Sequence, residues 1–296
     1  MKDMRILVTG PTSSVGLPVS IALAADNDVT GIARFGNAAA REQLEAAGVR
    51  CVAVDFATSD FSEIEDEYDY VCNFAIARGG DDDWDRDLAA NGESVGLLMA
   101  RCRSMRAFLH CSSTAVYQPA GAHPLKETDP LGDNHRVMFA TYSIAKIASE
   151  VVARTGARQF GIPTTIARLN VPYGDFGGWP WFHLKMMEAG MAIPIHPDRP
   201  NFFNPIHWDD IIEQTPKLLD VATVPATVVN WAGAQANLEE WCELTAELAG
   251  LDVKFEETDH TLGGVTTDNT RMHELIGPAS TDWRHGIARM VAANQS

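Results

Sequence analysis

The sequence predicts an α/β protein, a doubly wound parallel sheet followed by a smaller C-terminal α/β lobe. Three observations predict it. Short apolar runs alternate with helical stretches through the first half, the first run opens into a Gly-containing turn, and the alternation loosens after Gly174. Apolar runs of four to eight residues joined by helical crossovers are the pattern of βαβ units, whose strands are covered on both faces. The strand-like runs are Arg5–Thr9, Asp28–Ala33, Arg50–Asp55, Tyr68–Phe74, Arg106–Ser112 and Pro163–Leu169. Helical periodicity marks Val15–Ala25, Asn37–Ala47, Trp84–Cys102 and Phe139–Phe160 between them. Beyond Gly174, helical stretches return near Asp209–Val221, Leu238–Ala249 and Asp282–Ala293, and Thr227–Trp231 reads as one more strand of the main sheet.

Composition narrows the function classes. With 296 residues there is room for one large domain or two unequal ones. A formal net charge of −17 argues against nucleic acid as a partner, because little would neutralise phosphates. No apolar run approaches the roughly 20 residues that span a bilayer, and Met1-Lys2-Asp3-Met4-Arg5 leads straight into a strand-like segment, so neither membrane nor signal peptide is expected. The five cysteines are scattered without metal-ligand spacing, and Cys51, Cys72 and Cys111 lie inside apolar runs. A reducing, cytoplasmic setting and no metal are expected.

The segment Ile6–Gly16 joins a buried strand to a helix start through Thr9-Gly10-Pro11-Thr12-Ser13-Ser14-Val15-Gly16. Such a turn aims backbone N–H groups and the positive helix end at an anion such as a dinucleotide pyrophosphate. Gly10, Ser13, Ser14, Val15 and Gly16 are the expected contacts. At the end of the second strand, Ala33-Arg34 stands where an acid would bind a ribose 2′-hydroxyl and repel a 2′-phosphate. Arg34 therefore favours NADP(H) over NAD(H), the alternative being a solvated surface arginine that opens the next loop.

Tyr142 and Lys146 sit at i,i+4 on one helical stretch, hence on one face. An ammonium beside a phenol favours phenolate, lowering its pKa from about 10. That tyrosine can exchange a proton with a substrate hydroxyl while hydride leaves the same carbon. Ser113 follows the fifth strand, at the sheet edge where open α/β folds place ligands; its hydroxyl can hold the reacting oxygen beside the phenol. Ser113, Tyr142 and Lys146 are the expected catalytic set.

These segments, in order and spacing, resemble the extended short-chain dehydrogenase/reductase family, the NAD-dependent epimerase/dehydratase group, over nearly the whole chain. They are Thr9–Gly16, Asp55-Phe56, Asn73-Phe74-Ala75, Asn91, His110–Tyr117 (HCSSTAVY), Tyr142–Lys146, Arg168–Gly174 (RLNVPYG) and Pro205–Asp210 (PIHWDD). The resemblance implies a Rossmann domain over residues 1–174, its sheet rejoined by 203–232, with 175–296 mainly a substrate-binding lobe. It implies that Arg34, Asp55, Phe56, Phe74, Ala75, Asn91, Tyr142 and Lys146 contact the cofactor, and that Lys146 meets the nicotinamide ribose. It also implies a homodimer joined through helices around 84–102 and 139–160. Ser113, Thr114, Asn170, Val171 and Trp179 are the expected substrate contacts.

The chain departs from the family in four places. Ser13 stands where the fingerprint has its middle glycine, where its side chain could crowd the pyrophosphate or donate to it. Val171 replaces an asparagine, with Asn170 one residue early; Phe203 and His273 stand where relatives that bind nucleotide sugars carry arginines. Between 175 and 250 the basic residues besides histidine are Lys185, Arg199 and Lys217. A diphosphate needs charge-assisted partners, so the expected substrate is a non-nucleotide small molecule undergoing hydride transfer at a carbonyl or secondary alcohol. A nucleotide-sugar epimerase or dehydratase is the alternative, and a non-catalytic NADP(H)-sensing protein a third. Phe176, Trp179, Trp181, Phe182 and His183 form an aromatic run that reads either as core or as pocket wall. His207 with Asp209-Asp210 lacks metal spacing, and aspartates opening a helix commonly cap it.

Overall fold

The expected runs become strands β1 (Arg5–Thr9), β2 (Asp28–Ala33), β3 (Arg50–Ala53), β4 (Tyr70–Asn73), β5 (Ala107–Ser113) and β6 (Thr164–Leu169). They come from a computed structural model that describes residues 1–77 and 83–295. With Thr227–Trp231 they form a seven-stranded sheet in the order Thr227–Trp231, β6, β5, β4, β1, β2, β3. The pairings β1–β2, β2–β3, β1–β4 and β4–β5 are parallel. Strand order reverses between β1 and β4, the switch point at which such sheets open a ligand crevice. β3 stops short of its expected end because Asp55 turns the chain, its carboxylate accepting from the Ala57 N–H at 3.0 Å.

Helices α1 (Gly16–Ala24), α2 (Ala38–Ala46), α3 (Trp84–Leu88), α4 (Ser94–Arg101) and α5 (Tyr142–Phe160) connect these strands. Asn37 and Asp83 cap α2 and α3 by accepting from Ala40 and Arg86 N–H. The expected continuous helix 84–102 is instead two helices joined by a π turn over Ala89–Glu93. Side chains in and just after that turn bond back to the chain: Asn91 donates to Asp87 O at 2.9 Å and Ser94, opening α4, to Ala90 O at 2.7 Å. α4 and α5 pack closely through glycines; a Cβ on Gly96 would come within 2.9 Å of Val152. Leu7, Ile32, Val71 and Phe108 of the strands bury against Val95, Leu98 and Met99 of α4 and Ala153 and Ala157 of α5.

The chain divides into two compact units. Unit 1 comprises Met1–Ser113, Thr141–Arg168 and Ile212–Val229; unit 2 comprises Thr114–Ala140, Leu169–Ile211 and Asn230–Ser296. α6 (Trp179–Glu188), α8 (Leu238–Ala249), α9 (Thr270–Ile276) and α10 (Trp283–Gln295) belong to unit 2, and α7 (Trp208–Asp220) is shared along its length. Within unit 2, a small sheet of Ile206–His207, Pro172–Gly174 and Gly177–Gly178 accompanies a core of Tyr173, Phe203, Trp231 and Trp241.

Candidate active site

In unit 1 the β1–α1 turn is built by two glycines. Gly10 has φ +62°, and a Cβ there would meet Ala75 Cα at 2.8 Å; a Cβ on Gly16 would meet the Gly10 carbonyl at 2.2 Å. Ser13 Oγ accepts from the Gly16 N–H at 2.9 Å and so caps the start of α1, which leaves its hydroxyl proton available to donate. Ser14 is exposed, Val15 is buried, and the first turn of α1 carries no acidic residue. A glycine-permitted close approach at the positive end of a helix fits an anionic pyrophosphate.

The other expected cofactor residues divide by role. Arg34 is exposed just beyond β2. Asp55 is exposed and builds the turn after β3, and Phe56 packs edge-on against Phe61 at 5.9 Å. Phe74 is buried, and the Ala75 N–H donates to Thr9 Oγ1 at 2.9 Å, tying the end of β4 to the end of β1. Asn91 is buried and both accepts from the Ala77 N–H and donates to the Ala77 carbonyl, each at 2.8 Å. Its amide holds the loop that follows β4.

Ser113 is the last residue of β5, and Tyr142 is the first of α5. Lys146, one turn further, is buried, and its Nζ donates to the Cys111 carbonyl at 2.8 Å. The start of α5 is pinned by Thr141, whose hydroxyl donates to the buried Asp87 carboxylate at 2.5 Å. A second anchor was not foreseen. Arg168 of β6 grips Glu150 of α5 bidentately at 2.9 and 2.8 Å, and Ser112 donates to the same carboxylate at 2.6 Å. Both charged side chains are only 4% exposed, so the pair is a desolvated cross-brace from α5 to β5 and β6. The available signal was a basic residue inside the apolar run Pro163–Leu169, which has to find a counter-charge once buried.

The substrate residues expected from the sequence that lie in unit 2 are Thr114, Asn170, Val171 and Trp179. Thr114 is buried and its carbonyl accepts from Asn134 Nδ2 at 2.9 Å. Asn170 is also buried; it donates to Val265 O at 2.9 Å and accepts from Asn204 N at 3.3 Å. Val171 has φ +31°, a strained conformation for a β-branched residue and of the kind that gathers at functional sites. The aromatic run splits. Trp179 meets Phe203 edge-on at 5.2 Å and His183 at 5.8 Å, whereas Phe176 and Phe182 are exposed. His183 accepts from Trp241 Nε1–H at 2.9 Å, and burial pushes its pKa down to about 4. Phe203 also lies against Trp241, at 5.9 Å. Arg199 is occupied by Glu239 at 2.5 Å and Glu257 at 2.6 Å. His273 is exposed on α9.

Asp209 and Asp210 lie within the first turn of α7. Asp209 accepts from Arg289 at 2.5 Å, and Asp210 from the Ser280 N–H at 2.6 Å and the Ser280 hydroxyl at 2.9 Å. They tie α7 to α10 and to the chain before it. His207 Nε2 meets Arg289 at 2.9 Å, and burial, then the Arg289 charge, depresses its pKa. No group of three or more His, Cys, Asp or Glu with metal-holding geometry occurs among the described residues, and all five cysteines are unpaired. No described helix is long and apolar enough to cross a membrane.

A Rossmann-type sheet with a Ser–Tyr–Lys set on β5 and α5 defines an extended short-chain dehydrogenase/reductase. The model of the NAD dependent epimerase/dehydratase family matches residues 6–194, and the chain belongs to that family of enzymes. Among solved structures it is similar to a variant UDP-glucuronic acid 4-epimerase from Bacillus cereus in complex with NAD and a fluorinated UDP-glucuronic acid, at 19% identity, TM-score 0.86 and 99% coverage of both chains. It is similar to UDP-N-acetylglucosamine 4-epimerase from Methanobrevibacter ruminantium, in complex with UDP-N-acetylmuramic acid, at 19% identity and TM-score 0.84, covering 100% of this chain and 99% of that one. A dTDP-glucose 4,6-dehydratase from Streptomyces venezuelae with NAD bound aligns at 20% identity and TM-score 0.83, over 99% of this chain and 97% of that one. At such identities these structures establish the fold. No curated protein sequence matches the chain.

Proposed function

We propose that this enzyme is an epimerase or dehydratase of a nucleotide-linked sugar, working through a nicotinamide dinucleotide that is restored within each turnover. The observation that carries this reading is the buried Lys146, tethered to the Cys111 carbonyl one turn beyond Tyr142, on the helix beside the strand that ends in Ser113. In this reading the nicotinamide, when bound, supplies the hydride acceptor. Lys146 favours the phenolate of Tyr142, Tyr142 takes the proton from the sugar hydroxyl, and Ser113 holds the oxygen from which that proton leaves. The nucleotide-sugar ligands of the similar structures support the substrate class. The stretch Cys111–Tyr117 carries no carboxyl group to protonate a leaving hydroxyl, which favours epimerisation over dehydration.

Residues 1–174, with the strand near 227–231, are assigned to the dinucleotide, and 175–296 mainly to the substrate. The NAD in the similar structures supports NAD, and the exposed Arg34 without an acidic neighbour at Ala33 supports NADP(H). Leu97, Ile144 and Val151 are exposed on α4 and α5, an apolar face that supports a homodimer. Five unpaired cysteines support a reducing cytoplasm.

One observation favours a second reading, a reductase or dehydrogenase of a non-nucleotide molecule. Phe203, where the resemblance expects an arginine, is buried between Trp179 and Trp241, and Arg199 is spent on two glutamates. Each missing charge-assisted bond to a diphosphate forgoes roughly 1.5–3 kcal/mol. Calorimetry of the cofactor-loaded protein with UDP, dTDP and GDP sugars separates the readings. Micromolar binding supports the first. No heat from any of them, together with steady NADPH consumption on adding carbonyl compounds, establishes the second instead.

A further inference from the structure

Three consecutive residues of β5 reach α5, and each by a different device. Cys111 offers its carbonyl to the Lys146 ammonium, and Ser112 donates to Glu150. The third, His110, is a buried histidine in an otherwise apolar strand, and nothing in the proposed chemistry uses it. Its Nδ1 lies 2.9 Å from Asn73 Nδ2, and its Nε2 lies 2.8 Å from Ser149 Oγ. The neighbours assign the protons. The Asn73 carbonyl oxygen accepts from Thr9 Oγ1 at 2.5 Å, so the Asn73 amide nitrogen faces His110 and donates. Nδ1 is then an acceptor, and in a neutral ring the proton resides on Nε2 and points at Ser149. Ser149 in turn donates to the Lys146 carbonyl at 2.7 Å.

Burial, and after it the Lys146 charge, holds His110 far below its ordinary pKa, in agreement with a neutral ring. His110 is therefore the middle of a directional chain from the ends of β1 and β4 to the backbone of the lysine. His110 and Cys111, adjacent on β5, thus secure the two ends of Lys146. The carbonyl is held through Ser149, the ammonium directly.

We propose that His110 is a positioning residue for Lys146, acting through Ser149 to fix where the lysine backbone sits on α5. This rests on the reading that Lys146 serves Tyr142 and the cofactor. An imidazole suits the role because it accepts on one edge and donates on the opposite edge without a flexible chain between.

The test uses the full chain. Nitrogen-15 NMR of labelled histidine should show His110 as the Nε2–H tautomer. His110→Phe keeps a ring stacked on Phe108, now 6.4 Å away between centroids, and removes both nitrogens. Ser149→Ala removes only the hydroxyl. Each should raise the midpoint of Tyr142 ionisation, read as phenolate absorbance against a Tyr142→Phe blank, and weaken NADH binding by about three- to tenfold. The double variant should match a single one, because both act along one path. Ser149→Thr, which keeps the hydroxyl, should restore both readouts. An Nδ1–H tautomer, or an unchanged Tyr142 midpoint in a folded Ser149→Ala protein, overturns the proposal. Should the unsubstituted chain bind no NADH, the functional reading is what fails, and the tautomer and the Tyr142 midpoint still decide the role of His110. If His110→Phe does not fold, Ser149→Ala and Ser149→Thr carry the same comparison.

Discussion

The two units of this enzyme treat charge differently. Unit 1 buries ion pairs and an ammonium: Lys146, Asp87, Glu150 and Arg168 are all nearly inaccessible, and each has a partner that helps hold α5 in place. Unit 2 keeps its arginines at the surface, with Arg199 and Arg289 each held by two carboxylates, buries Asp210 against Ser280, and fills its interior with Phe203, Trp231 and Trp241. Buried charge is costly and is kept where it sets position; apolar packing is cheaper and diverges freely. On the proposed function, the proton chemistry falls to unit 1, where buried ion pairs and hydrogen bonds hold the helix that carries Tyr142 and Lys146.

The largest expected effect breaks the chemistry and leaves the fold alone. Tyr142→Phe removes only the proton-transferring hydroxyl, so turnover should fall on the order of 10²–10⁴-fold while dinucleotide affinity stays nearly unchanged. Steady-state rates beside a fluorescence titration of cofactor check both halves. A variant that turned over at near-native rate would remove Tyr142 from its role.

Next comes the buried brace. Arg168→Met strands the Glu150 carboxylate in a desolvated site and should cost about 3–5 kcal/mol of stability, measured by urea unfolding. Arg168→Met with Glu150→Leu should recover much of that loss, because neither charge is then left alone. A single variant as stable as the native protein would show that the pair is solvated in solution.

The third effect belongs to unit 2 and to pH. His183 carries a pKa lowered to about 4, so the unfolded chain binds its proton first as pH falls. Its contribution is fully present above about pH 6.5 and is lost as pH falls from there toward about 4, at most about 3 kcal/mol in all. His183→Gln keeps an acceptor for Trp241 and should flatten that limb of the stability–pH curve. An equally steep limb in the variant would assign the acid sensitivity elsewhere, with His110 and His207 next in line because burial depresses both.

The smallest effect sharpens the cofactor assignment within unit 1. If Arg34 selects the 2′-phosphate, NADPH should bind more tightly than NADH, and Ala33→Asp with Arg34→Asn should invert the order, by about tenfold or 1.4 kcal/mol. Competitive titration of both forms reads this directly. Equal affinities in the native protein would reduce Arg34 to a surface charge.

Much of unit 1 was legible because its determinants are local. Continuous apolar runs announced β1 to β6, and Tyr142 and Lys146 declared a shared face by spacing alone. What escaped were interactions that depend on who lies opposite whom. The π turn at Ala89–Glu93 carries no periodic signature, since it accompanies amide and hydroxyl bonds from Asn91 and Ser94. Arg168 and Glu150 are 18 residues apart and meet only once the strand and helix are laid together. His110 looked like one letter of a motif, and its use appears only with Asn73 and Ser149 on either side. In unit 2 the aromatic run was visible, but which rings turn inward was not: Trp179 joins Phe203, whereas Phe182 faces solvent.

Whether Ser113, Tyr142 and Lys146 assist a transient hydride transfer from a nucleotide-linked sugar to the nicotinamide is read directly by rapid mixing. Protein loaded with oxidised cofactor is mixed with UDP, dTDP and GDP sugars while the absorbance of reduced nicotinamide is followed. The expected result is a rise and decay with at least one sugar, absent in Tyr142→Phe, with an epimerised or dehydrated sugar recovered and no net change in cofactor. No absorbance transient with any nucleotide sugar, while simple alcohols reduce free cofactor stoichiometrically, would contradict it.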